Sequence, residues 1–498
     1  MHFTTGVAGR FFSALGEAKI NVLAISQGSS ERNISAVVFQ SESTRALRAV
    51  HAAFRLSHTT VRVGIVGMNE IGVSLLKLLE KQRNKLRASF EIELQVSAAL
   101  QDAQSSSLVA LKKNPMGDGL ESITSSVYDS LTGGSFLLGT SATSVSFKDS
   151  TSSIAQVQPG GLDKLNDYVF SEDFANTVIF DCTSDDSVGK KHIDWLKQGI
   201  NVVTANASAL AGDLEIREEI KKIEREKKSS YLREVTVGGG LPVISTLRDL
   251  LNSGDQIRRL DGILSVTMSY VMHRIAPPPG TVDCSNFDEK STKGAYNRDH
   301  SVSPSNQGAQ SKSCSFSQAM KEAAALGLSE EDPTKDINNE YTARCLMVLA
   351  RELGMDEKYD VKTIQSLSDS LIQHDGKSYS DIEADLDVAM KIRVEAAAAK
   401  GCVPRHVFSM DVKTSEISIK IVDVPQTHVF AVSPPSCECV RFFTRRHKTF
   451  PLVIQGPSAG PDSTASALLA DLLNLMRKKE GARPGEMTKT LSSSFLSS

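Results

Sequence analysis

The sequence predicts an α/β protein built on a doubly wound parallel sheet, with a second α+β domain after it and a small, partial α+β unit before it. Two observations predict the sheet. The apolar strand at residues 61–66 ends in a glycine-containing turn and leads into a helix with one apolar face. Strand, helix and strand then alternate again over residues 177–204, which indicates a Rossmann-type arrangement.

Residues 1–58 predict a partial ferredoxin-like unit. A helix at 6–18, strands at 20–26 and 34–39 and a helix at 43–54 follow the order α-β-β-α. The strand that opens this topology is central in its sheet, and it does not precede the first helix here. We therefore expect this unit to be truncated or to depend on a partner.

Residues 59–225 are predicted to form the nucleotide domain. Periodicity indicates strands and helices in alternation, at 61–66, 71–79, 94–99, 162–170, 177–181, 187–199 and 200–204. From about residue 102 to residue 161 the sequence is rich in Ser, Thr and Gly. This composition predicts a mobile insertion.

Residues 226–450 predict the second α+β domain. We expect strands at 260–270, 407–412, 417–422 and 440–444, and helices at 317–326, 339–353 and 382–400. A disordered insertion is predicted at about 274–314. Residues 451–480 carry a final helix, at 463–476, that is expected to return to the nucleotide domain, and the serine-rich tail, 481–498, is predicted to be disordered.

Composition excludes several classes of protein. With a net charge of −3 and 40% hydrophobic residues, the chain has no long basic stripe for nucleic acid and no apolar run that could span a membrane. The seven cysteines are scattered and odd in number, which favours a reducing compartment over a disulfide framework. No targeting segment is visible at the start, so cytoplasm and plastid both remain open.

Residues 234–247, which include three consecutive glycines and a Leu-Pro, predict a sharp turn before a helix. One interpretation is a tight strand-to-helix turn that binds nothing. The other is a turn whose backbone carbonyls and amides face a ligand or an ion.

The turn at residues 67–72 has the spacing of a dinucleotide-binding motif, in which a pyrophosphate lies on the helix N-terminus. Asn69 stands where the motif has its middle glycine, and its side chain adds bulk at the pyrophosphate contact. An unliganded Rossmann-like fold is the alternative. Asp102, beyond the second strand, suits a ribose 2′-hydroxyl and repels a 2′-phosphate, which favours NAD over NADP.

Segments along nearly the whole chain resemble the C-terminal part of bifunctional aspartokinase–homoserine dehydrogenases. They are residues 6–15 and 24–35, which resemble the second ACT regulatory domain, and 66–67, 181–184, 201–206, 234–247, 262–270, 330–336 and 455–460, which resemble the dehydrogenase. The resemblance implies NAD(P)-dependent interconversion of aspartate semialdehyde and homoserine, in the biosynthesis of threonine, methionine and isoleucine. It also implies a homodimer. The kinase domain that precedes the ACT pair in the family is absent, so we expect a truncated chain or gene model.

The resemblance assigns roles to residues of this chain. It implies that NAD or NADP is bound by Gly67, Asn69, Ile71, Gly72, Thr183 and Asn206, and the substrate by Thr267, Glu330, Asp332 and Asp336. It further implies that a monovalent cation such as Na⁺ is bound by the backbone carbonyls of Glu234, Val237 and Gly239. From the residues alone, a solvated loop and a helix start explain the three carboxylates better than a binding site does.

The family's proton-transfer positions are substituted. Ala207, Tyr341 and Cys345 stand where the family has Lys, Asp and Lys. Losing a single acid/base typically costs about 10²–10⁴ in rate. Lys335, Arg344 and Tyr341 are the candidate substitutes. Two hypotheses follow: an active NAD(P)-dependent homoserine dehydrogenase, or a catalytically impaired relative retained for dimerisation or regulation.

Overall fold

The computed structural model describes residues 6–27, 33–54, 59–90, 92–105, 107–111, 155–170, 176–226, 229–278, 313–330, 332–355, 364, 378–457 and 460–480. These residues form two compact units. The first contains the chain up to Ala209, residues 215–233 and the segment from Thr464 onward; the second contains residues 210–214 and 234–463.

The N-terminal part of the first unit has the α-β-β-α order expected from the sequence. Its elements are α1 (Val7–Glu17), β1 (Ala24–Gln27), β2 (Ile34–Val37) and α2 (Ser43–Ala53). The two strands pair antiparallel, with Ala24 opposite Val37. Leu15, Ala18, Ile20 and Ala46 form a small buried core between helices and strands. This arrangement confirms the order of helices and strands predicted at the N-terminus.

The nucleotide part of the first unit is a doubly wound sheet, as predicted. Among the described residues its strands follow the order β6-β5-β4-β3-β7-β8-β9, with β3 (Thr59–Val66), β4 (Ile92–Leu100), β7 (Asn176–Asp181), β8 (Asn201–Thr204) and β9 (Tyr231–Leu232) all parallel. The helices are α3 (Glu70–Phe90), α4 (Leu165–Val169), α5 (Asp186–Lys197), α6 (Ser208–Ala211) and α7 (Leu214–Arg225). The strand order reverses between β3 and β7, so a crevice opens there at the carboxyl ends.

The predicted insertion at 102–161 is partly wrong. Its two ends are strands, β5 (Ser107–Leu111) and β6 (Ala155–Pro159), which pair with each other and extend the sheet antiparallel beside β4. These strands were not predicted, because each is a short apolar run within a Ser-rich segment whose composition indicates disorder. The rest of the predicted insertion, residues 112–154, lies outside the described residues.

The second unit is an antiparallel sheet covered by helices. In the described part of the chain its strand order is β12-β11-β10-β13-β14, with β10 (Ile257–Ile263), β11 (Cys402–Asp411), β12 (Glu416–Pro425), β13 (Cys437–Thr444) and β14 (Leu452–Pro457). The helices are α8 (Val243–Asn252), α9 (Val266–Ile275), α10 (Phe316–Ala325), α11 (Pro333–Ile337), α12 (Glu340–Glu352), α13 (Tyr379–Ala398) and α14 (Val429–Val432). Met272, Phe316 and Leu386 are buried in its core.

The strand predicted at 260–270 is wrong in its second half. The strand ends at Ile263 and α9 begins at Val266, because the Ser265 hydroxyl accepts a hydrogen bond from the Met268 amide and caps the helix. Every residue of α9 is buried, except for Val266, so the apolar run carries no helical periodicity. The predicted insertion therefore starts later, and residues 279–312 lie outside the described residues.

The final helix is α15 (Pro461–Glu480), and its residues from Thr464 belong to the first unit. Ala465, Leu468, Leu472 and Leu475 line its buried face. The preceding strand β14 was not predicted, and the tail predicted at 481–498 lies outside the described residues. In the part of the chain that the structure describes, no helix is long and apolar enough to cross a membrane.

Candidate functional site

The turn after β3 requires glycine at two positions. Gly67 has a φ of 88°, in the left-handed region, and a methyl group there would lie 2.7 Å from the Thr183 Cγ2 atom. A methyl group on Gly72 would lie 2.0 Å from the Gly67 carbonyl oxygen. The helix α3 therefore starts in direct contact with the turn, the close packing that the last glycine of a dinucleotide motif permits.

Asn69 is the N-cap of α3. Its side-chain oxygen accepts hydrogen bonds from the Ile71 amide, at 3.0 Å, and from the Gly72 amide, at 3.1 Å. Its side-chain nitrogen donates to the Cys182 carbonyl at 2.8 Å. The sequence indicated only added bulk at this position, and the structure shows a specific hydrogen-bonding role.

Thr183 and Asn206 lie together at the carboxyl ends of β7 and β8. The Asn206 side-chain nitrogen donates to the Asp185 carbonyl at 2.8 Å and to the Thr183 hydroxyl at 3.3 Å. Thr183 in turn donates from its hydroxyl to Asp181 at 2.7 Å. The structure thus brings two of the predicted cofactor residues within hydrogen-bonding distance of each other. Asp102 is exposed, and it accepts from the Ser105 hydroxyl at 2.8 Å.

A buried network behind this edge was missed by the sequence analysis. His192 is fully buried, and its ring nitrogens lie 2.9 Å from an Asp181 oxygen and 3.0 Å from the Tyr231 hydroxyl. The network fixes the Asp181 carboxylate that holds Thr183. A single histidine in an amphipathic helix gave no signal for it, since only the parallel pairing of β7, β8 and β9 brings the three residues together.

In the second unit, the stretch at 234–247 forms a short 3-10 helix, Glu234–Thr236, followed by a glycine turn and α8. Gly238 and Gly239 have φ values of 75° and 52°, which explains the need for glycine. The Glu234 carboxylate accepts from the Ser245 amide at 2.8 Å, in the first turn of α8. The side chain of Glu234 is therefore a helix cap, and burial raises its pKa.

The four predicted substrate residues are brought together. Asp336 accepts a hydrogen bond from the Glu330 amide at 3.0 Å, and it lies beside Thr267, whose hydroxyl donates to the Leu328 carbonyl at 2.7 Å. Asp332 caps α11 by accepting from the Thr334 amide at 2.9 Å. Burial and the neighbouring carboxylates of Glu330 and Asp332 raise the pKa of Asp336 to about 6. The cluster is anionic above that pH and suits a cationic ligand.

The family's proton-transfer positions are not charged here. The Cys345 thiol is buried and donates a hydrogen bond to the Thr236 carbonyl at 3.6 Å. It also forms a hydrogen bond with the Tyr341 hydroxyl. Burial raises the pKa of Cys345 to about 12 and the pKa of Tyr341 well above its usual value, although 41% of the Tyr341 surface is exposed. The hydroxyl end of Tyr341 is thus desolvated while another part of the side chain meets solvent. Glu438, 1% exposed, adds a buried carboxyl to this group.

Of the candidate substitutes, Lys335 is exposed on α11 and its charge lowers the pKa of Asp332. Arg344 lies on α12, where it pairs with Glu340 at 3.0 Å. Ala207 is half-buried beside Asn206, at the end of the turn after β8. The described residues contain no group of three or more His, Cys, Asp or Glu side chains that could hold a metal ion.

Comparison with known proteins identifies the family. Models described as homoserine dehydrogenase, its NAD-binding domain and the ACT domain match residues 242–473, 148–234 and 1–54. The chain is 32% identical over 309 residues to the homoserine dehydrogenase of Emericella nidulans, covering 61% of this chain and 76% of that protein. The chain belongs to the homoserine dehydrogenase family.

The similarity extends to bifunctional members of the homoserine dehydrogenase family. The chain is 33% identical to the chloroplastic bifunctional aspartokinase/homoserine dehydrogenase 1 of Zea mays, over 95% of this chain and 45% of that protein. It is 30% identical to the bifunctional protein of Haemophilus influenzae, over 95% of this chain and 50% of that one. The chain therefore spans about half the length of these relatives, and the predicted resemblance is confirmed.

Solved structures show the same fold. A Candida auris protein described as of unknown function matches with a TM-score of 0.63 at 24% identity, over 84% of this chain and 98% of that chain. A hyperthermophilic archaeal homoserine dehydrogenase in complex with NADPH matches with a TM-score of 0.52 at 18% identity, over 84% and 98% of the two chains. The match of residues 148–234 to the NAD-binding domain of homoserine dehydrogenase supports a nicotinamide dinucleotide as the cofactor of this chain.

Gly72→Ala is expected to destabilise the first unit by about 1–3 kcal/mol, because the new methyl group meets a backbone oxygen that cannot rotate away. Urea unfolding followed by the fluorescence of Trp195, the chain's one tryptophan, measures the change. Gly9→Ala in α1 is the matched control, since a methyl group there meets nothing within 4 Å and removes backbone freedom from the unfolded chain. Equal midpoints for the two variants would contradict the close contact.

Proposed function

We propose that this chain catalyses the NAD(P)-dependent interconversion of homoserine and aspartate semialdehyde. The observation that carries the proposal is a cluster in which buried Thr267 and Asp336 lie beside the exposed residues Glu330 and Asp332. The same chain also has the family's nucleotide domain. Homoserine and its aldehyde both carry an ammonium group, which desolvated carboxylates bind well. The bifunctional relatives named above support the same reaction, which is proposed here for a chain about half their length.

The residues of the first unit suit the cofactor in most respects. The Gly67 turn, the start of α3 and the Thr183–Asn206 pair line the carboxyl edge of the sheet, where dinucleotides bind. When bound, the nicotinamide supplies or accepts the hydride. The poor fit is at Asn69, whose side chain already accepts hydrogen bonds from the Ile71 and Gly72 amides in the first turn of α3.

Within the cofactor class, we propose a preference for NAD. Asp102 lies at the carboxyl end of β4, and its carboxylate would repel a ribose 2′-phosphate while accepting from a 2′-hydroxyl. We also propose Na⁺ as a ligand of the Glu234, Val237 and Gly239 carbonyls. The left-handed Gly238 and Gly239 support this, because they turn successive carbonyls in different directions.

We propose a homodimer in a reducing compartment. Val388 and Ile392, one turn apart on α13, are 61% and 62% exposed, an apolar pair that favours contact with a second copy. Light scattering after gel filtration tests the dimer. The described cysteines Cys182, Cys314, Cys345, Cys402, Cys437 and Cys439 are free thiols, which supports the compartment.

The second candidate function is a catalytically impaired homoserine dehydrogenase relative. The observation that favours it is the Tyr341–Cys345 pair, in which burial holds both groups neutral where the family has a charged Asp and Lys. Neutral groups with raised pKa values are poor proton acceptors at neutral pH. On this hypothesis the chain binds cofactor and substrate but transfers hydride slowly.

A kinetic assay separates the two. The impaired form predicts that the purified chain reduces NAD⁺ and NADP⁺ with homoserine near pH 9 about 10²–10⁴-fold more slowly than a dehydrogenase with all its acid/base groups. Turnover within tenfold of such an enzyme would rule out the impaired form. No turnover, together with no binding of homoserine by calorimetry, would overturn the proposed function. The combined variant Ala207→Lys, Tyr341→Asp, Cys345→Lys tests whether the missing groups set the rate.

A further inference from the structure

Asn69 lies at the point where the strand order of the nucleotide sheet reverses. Asn69 follows β3, and its side-chain nitrogen donates a hydrogen bond to the carbonyl of Cys182, which follows β7. The Cys182 amide also donates to the Val66 carbonyl at 2.8 Å, so the two chain segments are already close beneath it. In an open α/β sheet this crevice is where a dinucleotide crosses the edge.

The same side chain uses the amides that a phosphate needs. The first amides of a helix have no partner within the helix, and in a dinucleotide fold they bind the pyrophosphate. Here the Asn69 oxygen accepts from the Ile71 and Gly72 amides at 3.0 and 3.1 Å. An amide N–H makes one strong hydrogen bond, so the Asn69 oxygen and a phosphate oxygen compete for the same donors.

We propose that Asn69 is a latch that closes the nucleotide crevice in the free protein and weakens dinucleotide binding by imitating the pyrophosphate. Its oxygen takes the place of a phosphate oxygen at α3, and its nitrogen ties α3 to the turn after β7. Asn69 is exposed, so rotation of the side chain into solvent opens the latch without moving the backbone. The inference rests only on the dinucleotide-binding part of the proposed function.

Asn69→Gly tests the latch, with NADPH as the probe and binding rather than turnover as the readout. Glycine is an acceptable N-cap residue, so the variant should fold. We expect the Kd for NADPH, measured by calorimetry and by cofactor fluorescence, to fall by about tenfold, because losing the cap frees two amides. Inorganic pyrophosphate should compete with NADPH more effectively in the variant.

Two further variants separate the latch from a general effect on stability. Asn69→Asp keeps an oxygen on the two amides but places a negative charge at the pyrophosphate, so NADPH binding should weaken by about tenfold or more. Ser315→Ala is the matched control, because Ser315 caps α10 in the other unit through the Gln318 amide. It should lower thermal stability to a similar degree and leave the Kd for NADPH unchanged.

An Asn69→Gly variant that is folded by circular dichroism and binds NADPH no tighter than the unmodified chain would overturn the latch. So would a chain in which neither form binds NADPH or NADH at millimolar concentration. The proposed reaction fails in a different way, by absence of homoserine-dependent turnover in a chain that binds NADPH. That result would leave a tenfold gain from Asn69→Gly intact.

Discussion

Asp336→Asn is expected to raise the KM for homoserine about a hundredfold and to change kcat much less. Asp336 is 9% exposed and is oriented by the Glu330 amide, which donates to it at 3.0 Å, so it would meet the substrate ammonium as a desolvated charge. Removing one partner of such a pair typically costs about 2–5 kcal/mol. Steady-state kinetics with varied homoserine, or calorimetry of homoserine binding, measures the effect.

The pH dependence gives an independent check. Because the pKa of Asp336 is raised to about 6, the KM of the unmodified chain should be flat above pH 7 and rise as the pH falls through that value. The same shift has the opposite sign for stability. Because Asp336 ionises less readily in the folded than in the unfolded chain, its contribution to stability is full well below pH 3.8 and is lost as the pH rises to about 6. Asp336→Asn should therefore be at least as stable as the unmodified chain at pH 7.

Asp411→Asn is the control for Asp336→Asn. Asp411 accepts hydrogen bonds from the Lys413 and Thr414 amides of its own turn. It should not change the KM for homoserine. A folded Asp336→Asn variant with an unchanged KM at pH 8 would show that the carboxylate cluster does not bind the substrate ammonium.

Arg405→Met is expected to destabilise the second unit by about 3 kcal/mol or more. The guanidinium is fully buried, and it donates to the carbonyls of Met272, Ala276, Pro404, Phe430 and Ala431. Burial lowers its pKa to about 10, so it remains charged at pH 7. Methionine fills similar space but leaves buried carbonyls without their donor, at about 1–3 kcal/mol each.

Urea unfolding followed by circular dichroism measures the loss. Trp195 fluorescence reports on the first unit, so comparing the two transitions locates the change. Arg259→Met is the control, since Arg259 is 43% exposed, and its ion pair with Asp261 at 3.4 Å and its contact with the Phe443 ring at 4.1 Å together contribute about 1–2 kcal/mol. Equal losses for the two variants would contradict the role assigned to Arg405.

Much of the fold was predictable from local signals. The glycines at 67 and 72, the alternation over residues 177–204 and the helix at 339–353 predicted the nucleotide sheet and α12 within a few residues. The strand predicted at 260–270 failed because α9 is buried on nearly every side, which removes the periodicity that marks a helix. Strands β5 and β6 were not predicted, because a short apolar run in a polar segment gives little indication of secondary structure.

For the candidate site, the sequence named the substrate residues but not how they act. Thr267 lies 69 residues from Asp336, and only the packing of α9 against the 326–337 segment makes them partners. Glu438 and Cys345 belong to a strand and a helix far apart in sequence, and no motif links them. Asn69 was recognised as unusual, yet its hydrogen bond to Cys182 depends on the neighbouring strand.

The sequence by itself determined the family and the fold class, and it predicted that all three proton-transfer positions are substituted. These follow from residue identity and spacing, which are local properties of the chain. Only the tertiary structure decided that Asn69 caps α3, that Asp336 is desolvated and that Tyr341 forms a hydrogen bond with Cys345. The physical reason is that hydrogen bonding and desolvation depend on distances between segments far apart in sequence, and packing alone sets those distances.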